Sequence, residues 1–282
     1  MKIMFQKMHG TLNDFVVFHD LNGDTDILPE QAALLCDRRA GIGADGVIVV
    51  RPSKKADFFM DYINADGSVA EMCGNGIRCL AKYVYDHGLT DKTVLPVETR
   101  SGVKTVDLMP GSDGKIHRVR VNMGLPIFDP NRIPADVSTS CTPVIDWPVE
   151  ADGRTFTATL VSMGNPHCVI FVDEDPASLP VQYGSIIEKQ PMFPAKTNVE
   201  FIRVVDSRRL VMRVWERGSG ETFSCGTGAC AAVVAASLKG FVHGSALVEV
   251  LGGDLEIEWK NQKDEVLMTG PVVLVFEGQI TI

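Results

Sequence analysis

Positive charge is scarce in this 282-residue sequence, where 27 Lys and Arg stand against 36 Asp and Glu for a formal net charge of −9. A surface that binds nucleic acid needs a basic field to displace counterions, so that class of partner is not expected. The most basic clusters, Lys54-Lys55 and Arg208-Arg209, are short and read as solvated turns. Nor is there a long apolar run. The start, Met1-Lys2-Ile3-Met4-Phe5-Gln6-Lys7, lacks the uninterrupted stretch of a signal peptide or membrane helix, and a cytoplasmic protein with no membrane partner is expected. Cysteine occurs seven times, an odd count, and never as Cys-x-x-Cys. That argues against a disulfide framework and against a zinc site.

What remains is ordinary globular material, 45% apolar and 22% charged, in a chain longer than one domain usually needs. The organising feature is an internal repeat of domain size. Cys73-Gly74-Asn75-Gly76 and Cys225-Gly226-Thr227-Gly228 align, and with them Asn13 and Asn165, each 60 residues before its cysteine. Asn64 and Glu216 also correspond, each nine residues before its cysteine. Apolar runs follow both asparagines, Phe15-Val16-Val17-Phe18 and Cys168-Val169-Ile170-Phe171-Val172. A register kept over that distance implies two domains related by pseudo-symmetry. The proline-dense stretch from Gly124 to Pro134 reads as the linker between them. The expected division is 1–124 with Cys73, completed by a last strand at about 272–282, and 125–271 with Cys225.

The pattern is strand-rich. Val47–Val50, Val119–Val121, Thr157–Val161, Arg213–Trp215 and Leu247–Val250 carry β-branched or alternating residues between turn formers, and each half is expected to hold a strongly curved sheet. Two helices are predicted, from Ile77 to His87 and from Ala229 to Lys239, each stopped by glycine. The second is apolar on nearly every side, so it should be buried inside its own sheet. The expected class is α+β.

Both Cys73 and Cys225 therefore fall at helix N-termini, where free N–H groups and the positive dipole end favour a thiolate. The glycines after them let a carboxylate approach the same N–H groups closely. If the halves close face to face, an α-carbon held between the two sulfurs is inverted. One thiolate removes its proton and the opposite thiol returns one to the other face, while the helix ends stabilise charge on the carboxylate. No pyridoxal phosphate or metal is needed. The plainer reading of a cysteine, a small buried hydrophobe, is applied to Cys36, Cys79, Cys141, Cys168 and Cys230.

The segments Asn64-Ala65-Asp66-Gly67-Ser68-Val69-Ala70-Glu71-Met72-Cys73-Gly74-Asn75-Gly76-Ile77-Arg78-Cys79 and Glu216-Arg217-Gly218-Ser219-Gly220-Glu221-Thr222-Phe223-Ser224-Cys225-Gly226-Thr227-Gly228-Ala229-Cys230 resemble the two active-site segments of the diaminopimelate epimerase family. The resemblance extends through Lys7-Met8-His9-Gly10, Asn13-Asp14-Phe15, Gly41-Ile42-Gly43-Ala44-Asp45-Gly46 and Met163-Gly164-Asn165-Pro166-His167-Cys168, nearly the whole chain. It implies two barrel-like sheets, each around a central helix, with the site in the cleft between them. It also implies interconversion of LL- and meso-diaminopimelate, an amino-acid substrate on the route to lysine and peptidoglycan precursors, by a cofactor-independent homodimer.

By the same resemblance Cys73 and Cys225 are the acid/base pair. Gly74, Asn75, Gly226 and Thr227 offer N–H groups to the reacting carboxylate. Asn13, Asn64, Asn165, Asn198 and Arg217 hold the distal end or the reacting ammonium, with Glu216 sharing the ammonium contact. His167 and Glu216 help to orient and deprotonate the thiols. One guanidinium with amides and a carboxylate suits a substrate with two zwitterionic ends. The chain departs from the family's common pattern at Leu12, where a small residue is usual, and at Gly46, where many members carry glutamine. Two other readings stand beside this one: a proline, hydroxyproline or broad-specificity amino-acid racemase of the same fold, and a redox sensor or binding protein using the same cysteines as a reversible disulfide.

Overall fold

The computed structural model describes residues 2–139 and 141–281. The first half of the chain forms β1 (Lys2–Gly10), β2 (Asn13–His19), α1 (Pro29–Cys36), β3 (Gly46–Pro52), β4 (Phe58–Asn64), α2 (Gly74–Asp86), β5 (Val94–Thr99), β6 (Gly102–Pro110) and β7 (Ile116–Gly124). There follow β8 (Trp147–Ala151), β9 (Arg154–Ser162), β10 (Pro166–Phe171), α3 (Ser185–Glu188), β11 (Asn198–Asp206), β12 (Arg209–Glu216) and β13 (Gly220–Glu221). The chain ends with α4 (Gly226–Leu238), β14 (Ser245–Val250), β15 (Gly253–Glu258), β16 (Val266–Pro271) and β17 (Val273–Thr281). Two compact units result: unit 1 runs to Asn122 and resumes at Thr269, and unit 2 is Met123–Met268.

The units share one strand topology. In unit 1, β1 and β2 are antiparallel, β2 and β3 parallel, β3 and β4 antiparallel, β4 and β5 parallel, β5 and β6 antiparallel. In unit 2 the same alternation runs through β9, β10, β11, β12, β14 and β15. Antiparallel neighbours can be joined by short turns, but each parallel pair requires a crossover. Those crossovers carry α1, α2, the helical turns of Pro176–Glu188, and α4. The last strand, β17, returns to unit 1 and pairs antiparallel with β1.

Composition explains where the helices sit. Helix α4 touches β9, β10, β11, β12, β14 and β15, which requires that sheet to curl around it. Every residue from Ala229 to Ala236 is fully buried, so small and β-branched apolar side chains occupy all its faces. Helix α2 packs against β1, β2, β3, β4 and β6 but carries two buried cations. Lys82 is held by Asp86 at 2.6 Å and the Ile116 carbonyl at 2.7 Å, and Arg78 reaches the Gly74 and Pro271 carbonyls, each at 3.2 Å. No helix among the described residues is long and apolar enough to cross a membrane.

Three details differ from expectation. Both site helices begin three residues earlier than predicted, at Gly74 and Gly226, because the glycines read as loop form the first turn. A Cβ on Gly76 would lie 2.9 Å from Ile48 Cδ1, and one on Gly228 2.7 Å from Glu200 Oε1, so a side chain at either place would have to displace those neighbours. The proline-dense stretch is not a free linker: Ile133, within it, and Ala135, just past it, pack with Phe156 and Phe201 in the unit 2 core, and Ile127 bridges to Ser162. Cys141 is exposed, whereas Cys36, Cys79, Cys168 and Cys230 are buried. It lies in the irregular segment before β8, with no element to cover it.

Candidate active site

In unit 1 the site is built on a tight hairpin and a helix start. The turn between β1 and β2 is Thr11-Leu12, with left-handed φ values of 50° and 61°, the hand that suits a two-residue hairpin. It delivers Asn13 to the N-terminus of α2. Cys73 caps that helix in extended conformation, its sulfur accepting the Gly76 N–H at 3.5 Å. Asn13 Oδ1 accepts from Asn75 Nδ2 at 3.1 Å and from the Cys73 thiol at 3.5 Å. Its Nδ2 donates to Asp45 Oδ2 at 2.8 Å, so the amide is anchored at both ends. Behind it Asp14 accepts two bonds from Arg38, at 2.8 and 3.0 Å, and pairs with Lys7 at 2.7 Å. Gly46 starts β3 against the Tyr62 ring, which a Cβ would approach to 2.4 Å, so no larger residue fits while Tyr62 stays.

Unit 2 repeats the frame with different chemistry. Cys225 caps α4, and its sulfur lies 3.5 Å from Thr227 Oγ1. Asn165 Nδ2 donates to Thr227 Oγ1 at 3.2 Å, spanning the same 62 residues as the Asn13–Asn75 contact. His167 stands behind Asn165, with Nε2 3.0 Å from Asn165 Oδ1 and Nδ1 2.7 Å from Glu200 Oε1. Glu216, at the end of β12, accepts hydrogen bonds from the Thr222 hydroxyl and the Cys225 thiol.

The electrostatics of Cys225 run against the simple helix-dipole expectation. Burial pushes its thiol well above the ordinary value, and the Glu216 and Glu200 carboxylates push it further; bonds from Thr227 and the Gly228 N–H only partly offset this. Burial likewise raises Glu216, against the bonds from Thr222 and Cys225. Dehydration disfavours each anion, and each carboxylate disfavours another negative charge beside it. Both effects favour the thiol form of Cys225, whose hydrogen bond runs to Glu216.

The remaining expected residues divide between exposed and structural places. Gly74 and Gly226 are buried first residues of their helices. Asn64 ends β4, where its Nδ2 donates to Ser68 Oγ at 3.0 Å. Asn198 is buried and tied to backbone at both ends of its amide, donating to the Pro166 carbonyl at 2.7 Å and accepting the Arg217 N–H at 2.9 Å. It thereby sets the loop that carries Arg217, whose exposed guanidinium donates to the Ala195 carbonyl at 3.2 Å. Sequence reasoning assigned no role to Asp45, Arg78, Glu200 or Thr222. Asp45, Arg78 and Thr222 lie inside the family-like segments, where a signal was present; Glu200 lies outside them and is placed by parallel strand pairing.

Comparison with known proteins identifies a family. The family model described as diaminopimelate epimerase matches residues 5–128 and 159–275. The chain is 48% identical to a diaminopimelate epimerase of Leptospira biflexa over 283 residues, covering 100% of both chains. It is 47% identical to one of Acetivibrio thermocellus, covering 98% of both. Among solved structures, a hydroxyproline epimerase from Agrobacterium vitis matches with a TM-score of 0.71 at 15% identity, over 99% of this chain and 92% of that one. At that identity the likeness concerns the fold alone.

Proposed function

Because this chain belongs to the diaminopimelate epimerase family, we propose that it interconverts LL- and meso-diaminopimelate by proton transfer between two cysteines. The observation that carries the reading is the repeated frame itself. Each unit sets a cysteine at the N-cap of a packed helix, with an asparagine 60 residues earlier bonded to its loop. Two such frames supply what inversion requires, one sulfur for each face of a single carbon.

In this reading the reacting carboxylate is held by N–H groups of the first turns, at Gly74, Asn75, Gly226 and Thr227. Charge that develops on it as the α-proton leaves is stabilised by those donors. With Cys73 as base, the Cys225 thiol gives a proton to the opposite face. The reverse direction starts from the state this leaves, Cys225 as thiolate and Cys73 as thiol, and Glu216 brings a protonated Cys225 to that state by taking its proton. Asn13, Asn64, Asn165 and Asn198 are assigned to the substrate's polar groups, with Glu216 sharing the ammonium contact, and Arg217 to the distal carboxylate through a charge-assisted bond. The scheme calls on no cofactor. A proline or hydroxyproline racemase would leave Arg217 without a carboxylate to bind.

The setting proposed is a cytoplasmic homodimer serving lysine and peptidoglycan precursor synthesis. Four consecutive exposed apolar residues on β17, from Val273 to Phe276, support a covered surface there. The test of the activity is incubation with LL-diaminopimelate in deuterated water. Meso product with deuterium at the inverted α-carbon is expected, with none formed by Cys73→Ala or Cys225→Ala. Turnover that survives either alanine variant would overturn the two-base reading.

A further inference from the structure

The internal repeat contains its own control experiment. At the 152-residue offset that relates Cys73 to Cys225, His167 corresponds to Phe15 and Glu200 to Ile48. The strand pairings keep the same register, Phe15 against Gly46 and His167 against Asn198, then Ile48 against Tyr62 and Glu200 against Val214. All four side chains are fully buried. The fold thus fills this place with an apolar pair in one unit and an acid and an imidazole in the other. Folding alone does not call for the second choice. Burying such groups costs free energy, and an apolar pair of similar volume is often as stable or more so. The cost is visible in Glu200, whose Oε2 has no hydrogen-bond partner.

What the polar pair adds is a connected path to the reacting sulfur. Glu200 Oε1 meets His167 Nδ1 at 2.7 Å, His167 Nε2 meets Asn165 Oδ1 at 3.0 Å, Asn165 Nδ2 meets Thr227 Oγ1 at 3.2 Å, and Thr227 Oγ1 lies 3.5 Å from Cys225 Sγ. His167 Nε2 faces the Asn165 amide oxygen, which can only accept, so the ring donates there, and Nδ1 faces Glu200 Oε1. An Asn165 amide that gives its oxygen to the ring must turn its N–H groups toward Thr227 and the Cys225 loop. Unit 1 obtains a fixed amide by other means, since Asn13 Nδ2 is anchored on Asp45.

Resting on the epimerase reading above, we propose that Glu200 is a positioning residue that acts through His167 to hold the Asn165 amide with its N–H face toward Thr227 and the loop of Cys225. Glu200 touches no reacting atom. It fixes the ring that holds the Asn165 amide.

Two variants test this. Glu200→Gln keeps the shape and removes the charge. The double variant His167→Phe with Glu200→Ile installs the pair that unit 1 already uses. Both are expected to fold, the double variant with a melting temperature at or above wild type, while kcat/KM falls on the order of 10²-fold, as misplacement of a positioned group does. In 15N-labelled protein the Asn165 side-chain NH2 signal, assigned by its loss in Asn165→Asp, should shift and broaden in Glu200→Gln. If either folded variant keeps kcat and KM within twofold of wild type, or the Asn165 signal is unmoved, the proposal fails. Should Glu200→Gln not fold, the double variant decides. Wild-type protein inert toward LL-diaminopimelate would sink the epimerase reading alone, because the amide signal reports on Glu200 without turnover.

Discussion

The Cys225 thiol donates a hydrogen bond to the Glu216 carboxylate, and burial raises the pKa of both groups. Position at a helix end, which would favour a thiolate, is here outweighed by dehydration and by two nearby carboxylates. In the proposed reaction this sulfur is thus favoured as a proton donor, and Glu216 is the group expected to accept its proton when it serves as base.

Alkylation order follows from this. Because the Cys225 thiol is raised, its reactive thiolate accumulates only as pH climbs past the ordinary thiol range. At pH 7.5 iodoacetamide should label exposed Cys141 and half-buried Cys73 before Cys225, as peptide mapping by mass spectrometry would record. Glu216→Gln removes one of the carboxylates that raise Cys225, so labelling of Cys225 should accelerate in that variant. Catalysis should move the other way, with kcat/KM falling about 10²-fold or more for loss of a general base. The fall must be equal in both directions, since the equilibrium constant is fixed. Faster turnover together with faster labelling would contradict the role given to Glu216.

The part of the site that was legible in sequence is the part written locally. Cys73 and Cys225 each sit in a short glycine context, and the offset they share with Asn13 and Asn165 survives because each unit repeats the same strand order. Helix starts were misplaced because glycine after a cap reads as loop, although Gly76 and Gly228 are helical where Ile48 and Glu200 crowd the turn. The fate of Ile133 was hidden because proline density signals chain direction and says nothing about burial. Glu200 left no mark at all: its partner His167 is 33 residues away, and only the parallel pairing of β10 with β11 brings them together.

Arg217 should govern binding more than chemistry. Its guanidinium is exposed and, among the described residues, donates only to the Ala195 carbonyl, leaving donors for a carboxylate. Removing one charge-assisted pair costs about 1.5–3 kcal/mol, so Arg217→Ala should raise KM for diaminopimelate roughly 10- to 150-fold with kcat changed much less. Arg217→Lys should recover part of this, because a point charge lacks the bidentate fork. Steady-state kinetics with unchanged KM in Arg217→Ala would place the distal carboxylate elsewhere.

Acid should strip stability from unit 1 through Asp14. Burial alone would raise its carboxyl, but the bonds from Arg38 and Lys7 outweigh that and hold it at about 2, below the ordinary 3.8. A depressed carboxyl contributes stability that is present above the ordinary value and is lost as pH falls through the folded one. The window is thus from about pH 4 down to about pH 2. Denaturant midpoints measured across it should fall more steeply for wild type than for Asp14→Asn. Parallel curves would mean that the Asp14 ion pairs contribute nothing to folding.

Phe276 offers the sharpest test of assembly. Strand β17 pairs with β1, setting Phe276 opposite Lys7, and leaves Val273, Leu274, Val275 and Phe276 between 37% and 53% exposed. Four consecutive apolar side chains in water are unusual for a strand that ends as a monomer's surface, and they are the expected centre of a self-complementary interface. Phe276 is 46% exposed and meets the Phe5 ring edge-on, at 6.0 Å between ring centres, so an acidic residue there should disturb the fold little. Wild-type protein should sediment at twice the 30.7 kDa chain mass, and Phe276→Asp at the chain mass, with its circular dichroism retained. A wild type already at the chain mass, or a variant still at twice that value, would remove β17 from the interface.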